Sequence, residues 1–78
     1  MTDYTPVDCG LYSSYEAAIL QRKCVRLSWS QANGQLRMEL LRPVDLSTRN
    51  HEEFLVAETL DGRILELRLD RIITAEFT

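Results

Sequence analysis

Seventy-eight residues are enough for one domain, 1–78, and leave no room for a second hydrophobic core. Hydrophobic residues make up 45% of the chain and charged residues 27%, a balance typical of a folded globular protein and not of a disordered chain. The formal net charge of −3 comes entirely from residues 1–20, which hold three acidic residues and no basic one. Such an excess of negative charge disfavours direct binding to nucleic acid.

Residues 1–12 predict an N-terminal arm, because Pro6 disfavours helix before it. A capping box follows, in which the Ser13 hydroxyl would accept from the Glu16 amide while the Glu16 carboxylate reaches back to the start of the helix. The residues after Glu16 are good helix formers. One helix is therefore expected over 13–23.

After the helix, residues 24–78 predict five strands of an antiparallel sheet, because apolar and polar residues alternate at a period of two. Asn33-Gly34 and Asp61-Gly62 predict tight two-residue hairpin turns. Pro43 is expected to stop the second strand, so that 43–52 becomes a polar connection. The strands are expected over 25–30, 36–41, 54–59, 63–69 and 72–77.

The order of these elements predicts a mainly β protein with one N-terminal helix. Closing a small five-stranded antiparallel sheet into a barrel would remove its exposed edges. An OB-fold has its helix between the third and fourth strands, whereas here the helix precedes the first strand. We therefore expect a small Sm-like antiparallel β-barrel.

No catalytic motif is present, and we expect that the protein is not an enzyme. His51 is the only histidine. Glu52 and Glu53 are adjacent, so on an extended chain their carboxylates point to opposite faces and cannot act as a pair. Trp29, on the apolar side of the first strand, is expected in the core.

Arginines on the strand faces are matched by glutamates, which predicts cross-strand ion pairs on a solvated face and not a track for RNA. The residues concerned are Arg26, Arg37, Arg63 and Arg68 with Glu39, Glu58 and Glu66.

No cofactor is expected. Cys9 and Cys24 are expected to be reduced thiols, with a disulfide as the second possibility. A zinc site is the third, disfavoured because a structural zinc needs four nitrogen or sulfur ligands. No apolar run approaches the ~18 residues that span a bilayer, and the first residues do not have the pattern of a secretory signal. We therefore expect a cytoplasmic protein with no membrane partner.

The order of particular residues along the chain resembles the Rho-binding antiterminator family (Rof, also called YaeO), small bacterial inhibitors of Rho-dependent transcription termination. The resemblance covers nearly the whole chain and implies the Sm-like fold. The matching residues are Tyr4, Pro6, Cys9, Tyr12, Glu16, Ala18, Asp45-Leu46, Arg49, Leu55-Val56, Glu58, Glu66-Leu67-Arg68-Leu69-Asp70 and Ile72.

The resemblance implies that the protein docks on the RNA-binding N-terminal region of the Rho hexamer and denies RNA access to the primary site of Rho. It also implies a chain that is monomeric when free and does not bind nucleic acid itself. The family's contact surface consists of the N-terminal helix and the loop before the third strand. The expected partner-binding residues are Asp8, Tyr12, Ser13 and Glu16 around the helix, and Arg49, Asn50 and His51 on the loop.

Two other functions stay open. The first is an Sm-like RNA-binding module that forms a ring, and the second is a general adaptor domain with some other basic partner. The acid-weighted charge favours the Rho inhibitor over an RNA binder. Native mass would separate a ring of six or seven subunits from a monomer.

Overall fold

The computed structural model describes residues 9–77, so Asp8 and the rest of 1–8 in the predicted arm lie outside the described residues. A five-stranded antiparallel sheet has the strand order β4-β3-β2-β1-β5, and one helix precedes it. The elements are α1 (Cys9–Gln21), β1 (Val25–Ser30), β2 (Leu36–Arg49), β3 (Glu52–Glu58), β4 (Ile64–Arg68), a single 3-10 turn (Leu69–Arg71) and β5 (Ile72–Phe77). A mainly β protein with one N-terminal helix is thereby confirmed, while closure into an Sm-like barrel stays a prediction. No helix within 9–77 is long and apolar enough to cross a membrane.

Helix α1 begins at Cys9, four positions before the predicted start. Ser13 and Glu16 therefore lie inside the helix, and the predicted capping box is wrong. The serine that bonds the main chain is Ser14, whose hydroxyl donates to the Gly10 carbonyl oxygen at 3.0 Å. This is the i to i−4 bond that serine hydroxyls form inside helices, so the local sequence is compatible with an earlier start than the capping pattern indicated.

The C-terminal end of α1 is closed by main-chain hydrogen bonds around Arg22, which has a φ of 55°. The Lys23 N–H donates to the Ala18 oxygen at 3.0 Å, and the Arg22 N–H donates to the Ile19 oxygen at 3.2 Å. These two bonds form a Schellman motif with a left-handed residue at its turn, the commonest way to satisfy the last carbonyls of a helix. The helix therefore ends at Gln21 and not at the predicted residue 23.

Two hairpin loops share one geometry. The Gly34 N–H donates to the Gln31 oxygen at 2.9 Å, and the Gln31 N–H donates to the Gln35 oxygen at 2.8 Å. Residues 59–63 repeat this pattern, and Gly62 there has a φ of 90°, close to the 86° of Gly34. Each loop has three residues with glycine at the left-handed position, so the predicted two-residue turns at these sites are wrong by one residue.

The two-residue turn lies instead between β2 and β3. Asn50 has a φ of 50° and His51 a φ of 65°, and the flanking residues Arg49 and Glu52 face each other across the hairpin. Positive φ at both central residues defines a type I′ turn, whose twist matches that of the strands it joins.

Strand β2 is longer than expected, with 14 residues. The predicted stop at Pro43 and the predicted polar connection over 43–52 are both wrong. Pro43 is buried and lies opposite Ala57, and the register shifts between Pro43 and Asp45. A proline, which cannot donate to a ladder, is tolerated in a sheet at such a bulge. The strand bends there: its first half pairs with β1 and its second half with β3.

The core lies between α1 and the inner face of the bent sheet, and the helix packs mainly against β2. Trp29 is only 5% exposed, which confirms its predicted place in the core. The ring of Tyr15 lies 5.7 Å from the ring of Phe77, which ties the helix to β5. The buried hydrophobic residues are Tyr15, Ala18, Val25, Leu27, Trp29, Leu41, Leu55, Ala57, Leu67 and Leu69.

The buried Tyr15 hydroxyl has no hydrogen-bond partner among residues 9–77, which generates a prediction about alkaline stability. Burial raises the pKa of Tyr15 from about 10 to about 12. As the pH rises, the Tyr15 hydroxyl therefore loses its proton in the unfolded chain before it does so in the folded protein. The contribution of the neutral Tyr15 to stability is complete below pH 10 and is lost as the pH rises from 10 through 12. Tyr15→Phe should keep or raise the free energy of unfolding at pH 7, by up to about 1 kcal/mol, because it removes an unsatisfied polar group.

Urea unfolding of both proteins between pH 7 and 12 measures this effect. The variant should show a shallower loss of stability above pH 10 than the parent. A Tyr15→Phe protein that is less stable at pH 7 would show that the hydroxyl has a partner and that the argument is wrong.

Candidate partner-binding surface

Tyr12 lies on α1 between two shallow surface depressions. The first, of about 370 Å³, is also lined by Cys9, Ser13 and Glu53. The second, of about 320 Å³, is lined by Tyr12 together with Glu16, Ile19, Leu20, Asp45 and Leu46. The side chains come from α1, from β2 just after its bulge, and from β3. We refer to the residues that line these two depressions as the Tyr12 surface.

Three acidic residues, Glu16, Asp45 and Glu53, line the depressions beside Tyr12. The pKa of Tyr12 is raised, first by partial burial and then by the negative charges of Glu53, Glu16 and Asp45. Each of these carboxylates lies on a different element, so long-range packing brings them together. Among the described residues, neither Glu16 nor Asp45 forms an ion pair, and the Asp45 carboxylate accepts only from the Leu46 N–H, at 2.9 Å. The Tyr12 surface therefore carries negative charge around an aromatic centre.

The structure brings together Tyr12, Ser13 and Glu16 from the predicted partner-binding residues. Ser13 and Glu16 are exposed, whereas Tyr12 is half-buried. Asp8 lies outside the described residues, so its predicted place beside them is untested. Glu16 lies in the middle of the helix with its side chain in solvent, so it has no capping role.

Asn50 and His51 are exposed at the tip of the β2–β3 hairpin. Glu53, which lines the Tyr12 surface, lies opposite Thr48 and only two residues beyond His51. At about 3.4 Å per strand residue, the turn therefore borders the Tyr12 surface. The two predicted groups of site residues are neighbours, with Glu53 between them.

Arg49 has partners inside the protein. Its guanidinium forms a two-pronged ion pair with the Glu66 carboxylate, with Nη1 at 3.1 Å from Oε2, and its Cζ lies 4.3 Å from the centre of the Phe54 ring. Paired and stacked in this way, Arg49 links β2, β3 and β4 on the outer face of the sheet. Its predicted role in partner contact is not tested, but the side chain would have to leave Glu66 to meet an acidic partner.

Other charged residues of the sheet also form ion pairs, but the predicted cross-strand pairing of Arg26, Arg37, Arg63 and Arg68 is confirmed only for Arg68. Arg68 is the centre of this network: its Nη2 lies 2.6 Å from Asp70 Oδ2, and its Nη1 lies 3.4 Å from Glu52 Oε2. Glu58 pairs across strands with Arg42, and Glu66 pairs across strands with Arg49. Arg37 with Glu39 and Arg63 with Asp61 are instead pairs of residues two positions apart, which are not the predicted cross-strand pairs.

Two acidic residues of the Tyr12 surface were missed in the sequence. Asp45 falls in the predicted connection 43–52, although it belongs to β2. Glu53 has no predicted role except as a possible partner of Glu52. The prediction that Glu52 and Glu53 point to opposite faces of the strand is confirmed. Glu53 faces Tyr12, whereas Glu52 pairs with Arg68. Only the pairing of β2 with β3 reveals which of the two faces the helix.

Within 9–77, no group of three or more histidine, cysteine, aspartate or glutamate side chains is placed to hold a metal ion. Within the described part of the chain, Cys9 and Cys24 are not joined by a disulfide. Comparisons with protein-family models, with curated proteins and with solved structures found no match for this chain.

The type I′ turn gives a prediction about the loop residues. His51 adopts a left-handed conformation that suits glycine, and Asn-Gly is the favoured pair for this turn. His51→Gly should therefore raise the free energy of unfolding by about 0.5–1 kcal/mol, since the strain of a Cβ at positive φ is removed. Urea unfolding at pH 7 measures the change.

His51→Ala is the matched control, because it removes the imidazole but keeps the Cβ. It should show no gain in stability. Equal gains in both variants would mean that the imidazole itself destabilises the hairpin, which would contradict the backbone explanation.

Proposed function

We propose that this protein inhibits Rho-dependent transcription termination by binding the RNA-binding N-terminal region of the Rho hexamer and occluding the primary RNA site. The observation that carries the proposal is that Glu16, Asp45 and Glu53, from three different elements, line the two depressions on either side of Tyr12. The sequence resemblance to the Rho-binding antiterminators points to the same helix. Localisation in the cytoplasm, where Rho acts, is part of the proposal.

The chemistry of the Tyr12 surface suits a partner that grips RNA. A surface that binds the phosphates of RNA must present lysine and arginine side chains. On such a surface, carboxylates can take the place of the RNA phosphates. The ring of Tyr12 can take the place of a stacked base, because tyrosine supplies a rigid apolar area and a polar hydroxyl. Occupation by the protein would then exclude RNA by direct competition.

An Sm-like fold is part of this proposal. The strand order β4-β3-β2-β1-β5, the strong bend in β2, the helix before β1 and the short 3-10 turn between β4 and β5 support it. The alternative function, an Sm-like RNA-binding ring, needs unpaired cations along a groove. Five of the nine basic residues, the arginines at 37, 42, 49, 63 and 68, have carboxylate partners, which favours the Rho inhibitor.

Competition for Rho tests the proposal. A fluorescent pyrimidine-rich oligonucleotide bound to isolated Rho should be displaced by the protein, as measured by anisotropy. Glu16→Lys should weaken this competition by at least about ten-fold, because a like-charge contact with a basic partner costs several kcal/mol. The fold should survive, since exposed substitutions usually change stability by no more than about 0.5 kcal/mol.

Glu76→Lys is the control, because Glu76 is an exposed glutamate on β5 that does not line the Tyr12 surface. It makes the same charge change and should compete like the parent. If neither the parent nor this control displaces RNA from Rho, the occlusion mechanism is wrong. Direct binding of the oligonucleotide by the protein itself, at submicromolar concentration and physiological salt, would favour the RNA-binding ring instead.

A further inference from the structure

The first half of β2 has one edge without a strand partner. Residues 36–41 pair with β1 on one side, whereas the pairing of β2 with β3 on the other side begins only at Arg42. Among residues 9–77, no strand pairs with the second edge of 36–41. We call this segment the free β2 edge. An unpaired strand edge is a template for another strand, and proteins usually protect it.

The direction of the main-chain groups along this edge follows from the hairpin. The Gln31 N–H bonds to the Gln35 oxygen, so the next facing pair, Ser30 and Leu36, is a non-hydrogen-bonded pair. Bonded and non-bonded pairs alternate along an antiparallel ladder. The N–H and C=O groups of Leu36, Met38 and Leu40 therefore point away from β1, towards the free edge.

The first three side chains of the free β2 edge, those of residues 36–38, are exposed. Leu36 is 70% exposed and Met38 is 66% exposed, on the face opposite to the core. On the other face, the guanidinium of Arg37 lies 3.2 Å from the carboxylate of Glu39. One face is thus apolar, and the other carries one charge of each sign, two residues apart.

We propose that the free β2 edge pairs antiparallel with the same edge of a second copy of this chain. The segment is self-complementary about a two-fold axis at Met38. In this register Met38 faces Met38 of the second copy, and Leu36 faces Leu40. The same register sets Arg37 opposite Glu39 of the second copy twice, once on each side of the axis. In this register, hydrogen bonds form between the outward-pointing main-chain groups of Leu36, Met38 and Leu40 in the two copies. The hydrogen bonds and the charges therefore favour the same register.

The dimer is weak. A pairing over about five residues from each chain buries well under the ~1,200 Å² of a stable interface. The chain is therefore the monomer expected from its resemblance at low concentration and a dimer at high concentration. The Tyr12 surface lies on α1, β3 and the second half of β2, so dimerisation through the free edge is independent of the proposed binding to Rho.

Charge exchange tests this pairing by sedimentation velocity over a concentration series at low ionic strength. The parent should move from monomer to dimer as concentration rises. Arg37→Glu alone and Glu39→Arg alone should each lose the dimer, because like charges then oppose each other. An equimolar mixture of these two variants should recover it as a heterodimer, and the double variant R37E/E39R should recover it as a homodimer.

The mixture separates an intermolecular contact from the existing pair within one strand, because mixing cannot repair an ion pair inside a chain. Met38→Lys, at the axis, should also abolish the dimer, while Ile64→Lys, an equally exposed apolar residue on β4, should leave it intact. A parent that stays monomeric at millimolar concentration overturns the proposal. So does a mixture that remains monomeric, or a dimer that Ile64→Lys removes and Met38→Lys does not.

Discussion

The bend of β2 at Pro43 is the constraint on which the rest of the fold depends. Proline has no N–H to offer to a ladder, and the register shift between Pro43 and Asp45 leaves Val44 without a facing residue. Because side chains alternate along a strand, the extra residue exchanges the two faces. Leu41 and Pro43 point into the core before the shift, whereas Leu46 packs against the core after it. One strand can thus line two parts of the core while it changes its partner from β1 to β3.

Both surfaces described above result from this bend. The exchange of faces turns Asp45 outward beside α1, where its charge acts on Tyr12 together with that of Glu16. The change of partner leaves residues 36–41 paired on one side only. A straight β2 that paired with β1 and β3 over its full length would have no free β2 edge, and Asp45 would have the opposite orientation. The acidic surface and the unpaired edge therefore have a common structural origin at Pro43.

The sequence was most informative where structure depends on near neighbours. Alternation in β1 placed Val25, Leu27 and Trp29 in the core, and β5 has the predicted bounds, because period-two burial is visible in the strand itself. The prediction that Pro43 stops the second strand is wrong, because a proline stops an isolated strand but is tolerated at a bulge. The bulge forms only when β2 pairs with β3, so it cannot be seen in the sequence of β2 alone. The capping box was wrong for a similar reason, since Ser13 and Glu16 fit a helix start and a helix interior equally well.

The candidate site could be predicted only in part. The helix residues Tyr12, Ser13 and Glu16 are close in sequence, so a pattern could find them together. Asp45 and Glu53 reach the same surface through pairing of β2 with β3 and packing of the helix on β2, and no local pattern contains that information. The turn was also hidden, because Asn50-His51 lacks the glycine that marks most type I′ turns.

The distribution of charge explains why the Tyr12 surface is distinct from the rest of the protein. The arginines at 37, 42, 49, 63 and 68 each pair with a carboxylate of the sheet or of its connections, so these pairs contribute little net field. The carboxylates of Glu16 and Asp45 have no such cation among the described residues, and both residues are exposed and line the same depression as Tyr12. An electrostatic field that is cancelled over the sheet but not at the Tyr12 surface would orient an approaching basic surface towards the Tyr12 surface. The ion pairs of the sheet therefore matter less for stability, where exposed pairs contribute about 0–1 kcal/mol each, than for confining negative charge to one place.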